Sequence, residues 1–319
     1  MFSDLRPVDV LAAGARLRGI ARRTPLRRSP TLSRRVGADV MLKLECEQLT
    51  GSFKLRGAFN AIATLPTAVR ERGVVASSAG NHGLGVAWAA HHFGIPATIF
   101  VPATAPRVKR EGIEQLGAMV NAEAPHYDAA MALARDFAKE RGATFVHPCM
   151  GSALLAGQGT VALEILEELP SLRTIVVPVG GGGLVGGCGI LLRAVAPYAR
   201  IIGVQSVNTN AMALSLTAGR VVSPPVLPTL ADGLAGDIDD YALDIGRHVI
   251  DELYTVEEED IADAIRHLAR EESATVEGSG AVGAAAILTG AVKEVEGEVA
   301  VVVSGGNIDR DRLDGIVGA

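Results

Sequence analysis

Short apolar runs alternate with segments of helical period along most of the chain. The apolar runs predict strands at 40–44, 74–76, 97–101, 118–120, 144–146, 174–179, 201–205 and 298–303. The helical segments lie at 57–65, 83–93, 107–116, 127–141, 157–168, 184–195, 258–272 and 279–291. Short strands that alternate with helices form parallel sheets that are covered by helices on both faces. The pattern therefore predicts an α/β protein.

The first 25 residues show a different pattern, with several arginines and no continuous apolar core. Apolar side chains recur there at roughly helical spacing, at Val8, Leu11, Ala12, Ala15 and Ile20. This spacing predicts a surface helix and not a targeting peptide. The helix is expected to end before Pro25, because proline disfavours helical geometry in the residue that precedes it.

The predicted strand-helix units are too numerous for a single sheet of ordinary size, so we expect two sheet domains. The chain has no internal repeat and no low-complexity linker. The two domains are therefore expected to be interleaved along the sequence. In open α/β sheets, ligands bind beyond the carboxyl ends of the strands, which places the expected active site between the two domains.

Composition narrows the class of protein. Of the 319 residues, 48% are hydrophobic and 21% are charged, which is ordinary for a soluble globular protein. The net charge of -6 gives no reason to expect nucleic acid or an anionic membrane as a partner, and no apolar run approaches the ~20 residues of a membrane span. Cys46, Cys149 and Cys188 have neither disulfide nor metal-ligand spacing, which fits a reducing cytosol. We therefore expect a cytoplasmic protein.

One lysine stands out by its surroundings. Lys54 lies among small residues in Thr-Gly-Ser-Phe-Lys-Leu-Arg-Gly (50–57), shortly after the predicted strand at 40–44. A lysine amine that is held unprotonated is a nucleophile suited to bonding a carbonyl carbon as a Schiff base. Taken alone, a lysine after a strand is more often a plain surface residue, so this hypothesis depends on three further stretches.

A run of four glycines connects a predicted strand to a predicted helix. Strand 174–179 is followed by glycine at positions 180–183, and the helix begins at Leu184. Backbone N–H groups in such a run can converge on one anion at the positive end of a helix dipole. The run therefore predicts a phosphate site, with a flexible turn as the simple alternative.

The same glycines raise a second possibility. Gly181, Gly183 and Gly186 fit the G-x-G-x-x-G fingerprint of dinucleotide binding. That fingerprint requires an acidic residue about 20 positions later, at the end of the next strand, where it holds the ribose hydroxyls. Strand 201–205 ends in Gln205 instead. A dinucleotide-dependent dehydrogenase is therefore disfavoured.

Two further stretches follow predicted strands. Ser-Gly-Gly-Asn (304–307) offers a serine hydroxyl that is suited to hydrogen bond a heterocyclic nitrogen, although a Ser-Gly turn without function is as common an explanation. Ser-Ala-Gly-Asn-His-Gly (78–83) opens a helix whose first N–H groups suit a substrate carboxylate. The alternative is that Ser78 and Asn81 are simple N-caps. His82 by itself is not assigned as a base.

Six motifs occur in order along the chain, within a stretch of likeness to a known family that runs from Thr24 to Asp309 and so covers nearly the whole chain. They are Ser-Phe-Lys-Leu-Arg-Gly (52–57), Ser-Ala-Gly-Asn-His-Gly (78–83), Gly-Gln-Gly-Thr (157–160), Gly-Gly-Gly-Gly-Leu (180–184), Ala-Asp-Gly (231–233) and Ser-Gly-Gly-Asn (304–307). Together they resemble the serine/threonine dehydratase and serine racemase family of fold-type-II pyridoxal phosphate enzymes.

The resemblance implies a tryptophan synthase β-like fold, in which 1–65 and 147–319 form a large cofactor-binding domain and 66–146 form a smaller substrate-side domain inserted in it. It implies pyridoxal 5'-phosphate as the cofactor, Lys54 as the catalytic residue that carries it, and a homodimer. The residues it assigns to the cofactor are Phe53, Lys54, Asn81, Gly180, Gly181, Gly182, Gly183, Leu184, Gly233 and Ser304. The residues it assigns to the substrate are Ser78, Ala79, Gly80, Asn81 and His82.

The implied reaction is a β-elimination, in which a β-hydroxy amino acid such as threonine or serine is dehydrated and deaminated to a 2-oxo acid and ammonia. Pyridoxal phosphate acts as an electron sink when the α-proton leaves, and Lys54 is placed to accept that proton. A racemase and a β-replacement synthase are the alternatives. Racemisation requires an acid on the opposite face, and Ala79 has no proton to give where similar racemases carry a serine. The sequence leaves open which amino acid the pocket prefers.

Several members of that family hold a divalent cation after the strand equivalent to 201–205, on a glutamate and an aspartate about six residues apart. The corresponding positions here are Gln205 and Ala211, and neither brings a negative charge. Calcium and magnesium favour oxygen ligands, and carboxylates supply the charge that offsets their dehydration. No tightly bound divalent metal is therefore expected.

Overall fold

Strands and helices alternate along the chain in a computed structural model that describes residues 4–105 and 107–318. The strands are β1 (Leu26–Arg28), β2 (Asp39–Leu44), β3 (Val74–Ser77), β4 (Ala97–Pro102), β5 (Met119–Ala124), β6 (Thr144–Phe145), β7 (Leu172–Pro178), β8 (Arg200–Ser206), β9 (Glu252–Val256) and β10 (Glu298–Val303). The helices are α1 (Pro7–Leu17), α2 (Pro30–Val36), α3 (Lys54–Ala63), α4 (Thr67–Arg70), α5 (Asn81–Phe93), α6 (Arg107–Glu114), α7 (Tyr127–Arg141), α8 (Ser152–Glu168), α9 (Gly183–Val195), α10 (Ala211–Ala218), α11 (Asp240–Val249), α12 (Glu258–Glu271), α13 (Gly278–Leu288) and α14 (Arg310–Gly318).

The strands form two sheets. One sheet has six strands in the order β1-β2-β10-β7-β8-β9, and the other has four strands in the order β5-β4-β3-β6. Neighbouring strands are parallel except for β1 and β2, which pair antiparallel. The four-stranded sheet lies between β2 and β7 in the chain. The α/β class with two parallel sheets, one inserted in the sequence of the other, is confirmed.

Helices cover both faces of the six-stranded sheet. Successive residues of its inner strands point to opposite faces and are apolar, so both faces must be buried. On β7, Ile175 and Val177 belong to the core shared with α1, α3, α8 and α9. Val176 lies between them and belongs to the core shared with α12 and α13. All three side chains are fully buried. A strand that is buried on both faces requires such a continuous apolar run, which is why the sequence pattern predicts it.

The N-terminal helix α1 is present as predicted, but its buried face is a different one. Val10, Ala13 and Leu17 are buried, whereas Val8 and Leu11 are exposed. The buried side chains follow the spacing i, i+3, i+7 and pack into the core shared with α8. The helical period is therefore the predicted one, and the face that is buried depends on the neighbouring helices.

The structure contains several short elements that the sequence pattern did not predict. They are β1, β9, α2, α4, α10, α11 and α14. β9 lies at a sheet edge with most of its side chains half-buried or exposed, so it lacks a continuous apolar run. α3 also begins earlier than predicted, at Lys54, so that the lysine lies in the first turn of a helix.

A buried cluster of charges lies beside the first turn of α3. The guanidinium of Arg56 donates to Glu45 Oε2 at 2.8 Å and to Glu164 Oε1 at 2.7 Å, and Lys43 Nζ donates to Glu164 Oε2 at 2.6 Å. Arg56, Lys43 and Glu45 are fully buried. Although burial favours the neutral form of Glu164, hydrogen bonds from Arg56 hold the pKa of its carboxyl below the usual value. The cluster joins α3, β2 and α8, and so fixes the helix that carries Lys54.

Glu45→Ala is expected to lower the free energy of unfolding by about 3–5 kcal/mol, because it leaves the buried guanidinium of Arg56 with one carboxylate fewer. Asp39→Ala is the matched control, since Asp39 pairs with Arg28 while the two side chains are 57% and 54% exposed. The control substitution should change the free energy of unfolding by no more than about 1 kcal/mol. Urea denaturation followed by circular dichroism measures both, and equal losses would contradict the role of the cluster.

Candidate active site

The amine of Lys54 is held against the segment that leads from β6 to α8. Its Nζ donates to the carbonyl oxygen of Pro148 at 2.9 Å and lies 5.3 Å from the centre of the Phe53 ring. The side chain is half-buried. The lysine that the sequence singles out therefore has a defined orientation, and its side chain is not fully buried.

Two motif stretches meet edge to edge at the carboxyl ends of β2 and β10. The N–H of Phe53 donates to the carbonyl of Ser304 at 3.1 Å, and the N–H of Gly306 donates to the carbonyl of Gly51 at 2.9 Å. The hydroxyl of Ser304 makes a long contact of 3.4 Å to the carbonyl of Ser279 in α13. Lys54 and Ser304, which are 250 positions apart in the sequence, thus belong to one small region.

The glycine run forms a tight turn at the N-terminus of α9. A Cβ added at Gly181 would lie 2.6 Å from Cys149 Sγ, and one added at Gly180 would lie 3.2 Å from Leu234 Cα. Gly182 has a φ of 80°, in the left-handed region that favours glycine. The turn is therefore packed against Cys149 and Leu234, and because glycine has no side chain its surface consists of backbone atoms.

Gly233 is joined to the same region through α13. Its N–H donates to the hydroxyl of Ser279 at 2.8 Å, and the carbonyl of Ser279 is the group that Ser304 contacts. Gly233 itself is exposed. Ser279 was not predicted from the sequence, although it connects two of the predicted motifs. The four stretches around Lys54, Gly180, Gly233 and Ser304 therefore form one continuous set of contacts.

The stretch 78–83 makes a compact turn into α5. The N–H of Gly80 donates to the hydroxyl of Ser78 at 3.2 Å, and a Cβ at Gly83 would lie 2.1 Å from the carbonyl oxygen of Ser78. The first N–H groups of a helix have no acceptor within the helix. The N–H groups of Asn81, His82 and Gly83 therefore have no acceptor within α5.

His82 is packed and neutral. Its Nε2 lies 2.9 Å from the carbonyl oxygen of Val146, and its side chain is 2% exposed. Burial is the main cause that lowers the pKa of its imidazole to about 3, with a smaller contribution from the charge of Lys54. The imidazole is therefore uncharged at neutral pH, and its Nε2 is occupied by the carbonyl of Val146.

Asn81 lies between two polar partners. Its Nδ2 donates to Glu277 Oε1 at 2.6 Å, and its Oδ1 accepts from Asn307 Nδ2 at 2.7 Å. Sequence analysis missed Glu277. The signal was present, since Glu277 is the only charged residue between Glu272 and Lys293 in a run of small and apolar residues.

Gln205 is the penultimate residue of β8, lies beside the glycine run and is 1% exposed. Its Nε2 donates to the carbonyl oxygens of Val179 at 3.1 Å and Thr209 at 3.0 Å, and its Oε1 accepts from the N–H of Ala213 at 2.9 Å. Both N–H groups of the amide are used in this way. The side chain therefore ties the residue before the glycine run to the turn after β8, and it is not available to a ribose.

These features define an enzyme that binds a phosphorylated carbonyl compound between two parallel sheets. A family model described as pyridoxal-phosphate dependent enzyme matches residues 17–305, and the chain belongs to this family. The chain is 45% identical over 314 residues to an L-threonine ammonia-lyase of Thermotoga maritima, covering 97% of this chain and 77% of the relative. It is 40% identical over 314 residues to a catabolic L-threonine dehydratase of Staphylococcus aureus, covering 97% and 91%.

A solved structure agrees in fold. Maize serine racemase superposes with a TM-score of 0.93 at 34% identity, covering 97% of this chain and 95% of that chain. The fold-type-II architecture and the pyridoxal phosphate cofactor expected from the motifs are thereby confirmed.

The residues present fit pyridoxal phosphate. Lys54 supplies an amine that can bond an aldehyde carbon. The glycine turn, where a Cβ at Gly181 would collide with Cys149, supplies backbone donors to a phosphate at the N-terminus of a helix of 13 residues. Ser304 supplies a hydroxyl within the same set of contacts. The donor set is thus an amine, a phosphate cradle and one neutral hydrogen-bonding group.

Chelation of divalent metal is expected to leave turnover and melting temperature nearly unchanged. The amide of Gln205 already links the carbonyls of Val179 and Thr209, and it carries no charge to attract a cation. The measurement is activity and Tm after dialysis against a chelator, with and without millimolar magnesium. A loss of activity that magnesium or calcium restores would contradict this prediction.

Proposed function

We propose that this enzyme catalyses the dehydration and deamination of a β-hydroxy amino acid to a 2-oxo acid and ammonia, with L-threonine as its preferred substrate. The observation that carries the proposal is the set of contacts that brings the Lys54 amine, the glycine turn and Ser304 together. The choice of L-threonine is supported by the names of the relatives at 45% and 40% identity.

The proposal gives each predicted residue a role toward the cofactor. Lys54 holds it covalently, and the ring of Phe53 packs beside it. The phosphate binds to the backbone N–H groups of the turn formed by Gly180, Gly181, Gly182, Gly183 and Leu184. Asn81 donates to the ring oxygen, Ser304 meets the ring nitrogen and Gly233 lines the pocket. The turn formed by Ser78, Ala79, Gly80, Asn81 and His82 binds the carboxylate of the substrate.

Pyridoxal phosphate, when bound, supplies an electron sink for the electron pair that the departing α-proton leaves behind. The protein moves that proton: Lys54 Nζ, once free of the cofactor, accepts it from the α-carbon as a general base. The carbonyl of Pro148, 2.9 Å from Nζ, orients the amine without taking a proton from it. The electron pair left at the α-carbon forms a double bond to the β-carbon as the bond from the β-carbon to oxygen breaks. The hydroxyl group leaves as water, and the α-proton that Lys54 accepted balances the proton it gains. One water is consumed again when the released product is hydrolysed to the 2-oxo acid and ammonia.

Ser304 favours elimination over competing outcomes. A hydroxyl group carries no negative charge, so it does not stabilise a protonated ring nitrogen as a carboxylate would. The electron pair is then less delocalised into the ring, which favours expulsion of the β-hydroxyl group. The long 3.4 Å contact from Ser304 to the carbonyl of Ser279 leaves its hydroxyl free to turn toward a ligand.

The proposal extends to the state of the protein in the cell, as a homodimer in the cytoplasm. Three cysteines are free of disulfide bonds, as in a reducing compartment. In the part of the chain that the structure describes, no helix is long and apolar enough to cross a membrane. The exposed apolar side chains of Val8 and Leu11 on α1 are candidates for a subunit contact. Sedimentation velocity tests the dimer directly.

The test of the function is a panel of β-hydroxy amino acids of both configurations, with ammonia and 2-oxo acid measured. L-threonine is expected to give the highest kcat/KM. Lys54→Ala should lower kcat by at least about a thousandfold, because it removes both the covalent anchor and the base. Lys139→Ala, which changes an exposed lysine of α7, is the control and should keep full activity.

Borohydride reduction and peptide mass analysis should locate the bound cofactor on Lys54 in the wild-type protein. A protein that neither binds added pyridoxal phosphate nor releases ammonia from any member of the panel would contradict the proposal.

Ammonia release is expected to exceed racemisation in the wild-type enzyme, because Ala79 offers no proton to the face opposite Lys54. Ala79→Ser should raise the ratio of racemisation to elimination at least about tenfold, since it places a hydroxyl donor in the turn before Gly80. Ala79→Gly, which adds no donor, is the control and should leave the ratio low. Chiral chromatography of serine together with an ammonia assay measures the ratio. Serine interconversion by the wild-type protein as fast as ammonia release would reverse the assignment.

A further inference from the structure

A directed row of hydrogen bonds links three of the motif stretches to Glu277. Asn307 Nδ2 donates to the carbonyl of Thr50 at 2.8 Å and to Asn81 Oδ1 at 2.7 Å. Asn81 Nδ2 then donates to Glu277 Oε1 at 2.6 Å. Because the carbonyl of Thr50 can only accept, it determines which end of the Asn307 amide faces it, and this in turn determines the orientation of Asn81. Glu277 is therefore the final acceptor of the row.

The carboxyl group of Glu277 lies against backbone and is 7% exposed. A Cβ at Gly305 would lie 2.3 Å from Glu277 Oε1, so only glycine leaves room for the carboxyl group beside the 304–307 stretch. The N–H of Glu277 donates to the carbonyl of Gly305 at 3.1 Å. The helix that follows, α13, contains no charged residue. A carboxyl group in this position incurs a desolvation cost, which the hydrogen bond from Asn81 offsets only in part.

The charged groups that face Glu277 come from three other segments. Burial has the largest effect and raises the pKa of its carboxyl to about 7. The charge of Asp232, in the turn before α11, adds to this increase, whereas the charges of Lys109 in α6 and Lys54 in α3 oppose it. The carboxyl group therefore changes between its neutral and charged forms near pH 7.

We propose that Glu277 is a positioning residue that holds the carboxamide of Asn81 with its nitrogen toward the carboxylate, so that the second N–H of Asn81 is presented to bound pyridoxal phosphate. This inference rests on the proposed function in one respect, namely the assignment of Asn81 to the cofactor. Among the described residues, the structure gives the amide nitrogen of Asn81 no acceptor other than Glu277. One N–H of Asn81 is therefore left for a ligand.

The charge of Glu277 determines how firmly Asn81 is held. A carboxylate can only accept, so it stabilises the single orientation in which Nδ2 of Asn81 faces it. A neutral carboxyl group can also donate, and it then stabilises the two orientations of the amide more equally. The environment of the bound cofactor should therefore change as Glu277 ionises.

Three variants separate the parts of this inference. Glu277→Gln keeps the shape and an acceptor oxygen but removes the titrating charge. Glu277→Leu removes the acceptor as well. Glu272→Gln is the matched control, because Glu272 is also 7% exposed but lies 4.0 Å from Arg27 Nε, outside the row of hydrogen bonds.

The first measurements are the visible absorption spectrum of each holoenzyme from pH 5.5 to 8.5 and the Kd for pyridoxal phosphate by fluorescence titration. The wild-type spectrum should show a transition near pH 7 that Glu277→Gln lacks and Glu272→Gln keeps. Glu277→Leu should raise the Kd at least about tenfold, while Glu277→Gln changes it about threefold or less. These readouts do not depend on turnover.

The second measurement is the melting temperature of each holoenzyme as a function of pH. The pKa of Glu277 in the folded protein is raised from 4.5 to about 7, so its contribution to stability is full below 4.5 and is lost as the pH rises through about 7. The difference in Tm between Glu277→Gln and wild type should therefore shift in favour of Glu277→Gln as the pH is raised from 5 to 8. The corresponding difference for Glu272→Gln should not change in this way.

Two results would overturn the inference: a wild-type spectrum that does not change between pH 5.5 and 8.5, or a Glu277→Leu protein that binds pyridoxal phosphate as tightly as wild type. If Glu277→Leu does not fold, the spectrum of Glu277→Gln decides, and a transition near pH 7 that persists there overturns the inference. Failure of the proposed function has a different signature. The variants would then alter cofactor binding as described, while no amino acid of the panel released ammonia.

Discussion

The site depends on the parallel register of β2, β10 and β7. β2 and β10 end in register, with Leu44 opposite Val303, so the loops that follow them leave the sheet side by side. That proximity allows Phe53 to donate to Ser304 and places the lysine beside the serine stretch. A slip of one residue would exchange the two faces of β10 and bring polar loop residues into the core. The apolar run of β10 ends where the polar residues of the following loop begin, and this boundary opposes the slip and so holds the loops of the site in place.

A second constraint lies on the other side of Lys54, where Arg56 is buried against the carboxylates of Glu45, directly after β2, and Glu164 in α8. A buried charge pair contributes little net stability, but breaking it is costly, so it fixes one arrangement of its elements. Here it fixes the first turn of α3 two residues beyond the reactive amine. The glycines at 57 and 157 serve the same contact, since a Cβ at Gly157 would lie 2.4 Å from the carbonyl oxygen of Arg56. Close helix packing and buried charge together hold the lysine in place.

The proton chemistry of the cleft is confined to few groups. Burial lowers the pKa of His82 to about 3 and that of His147 to about 4, so both imidazoles are neutral at pH 7. In the proposed reaction Lys54 is the base, and neither neutral imidazole is assigned that role. Glu277 accepts a hydrogen bond from Asn81, the residue that we propose contacts the cofactor. The two proposals thus assign the movement of the substrate proton to Lys54 and the tuning of the cofactor's surroundings to Glu277.

The sequence by itself determined the α/β class and the central strands and singled out Lys54 and the glycine turn as candidates, because continuous apolar runs and glycine-rich strand ends are local signals. It did not determine the edge strand β9, whose side chains are partly exposed, or the face on which α1 packs. Only the tertiary structure brought Glu277 to Asn81, 196 residues apart, and placed Ser279 between Gly233 and Ser304. Such contacts join separate elements, and their strength comes from burial, which no local pattern of residues expresses.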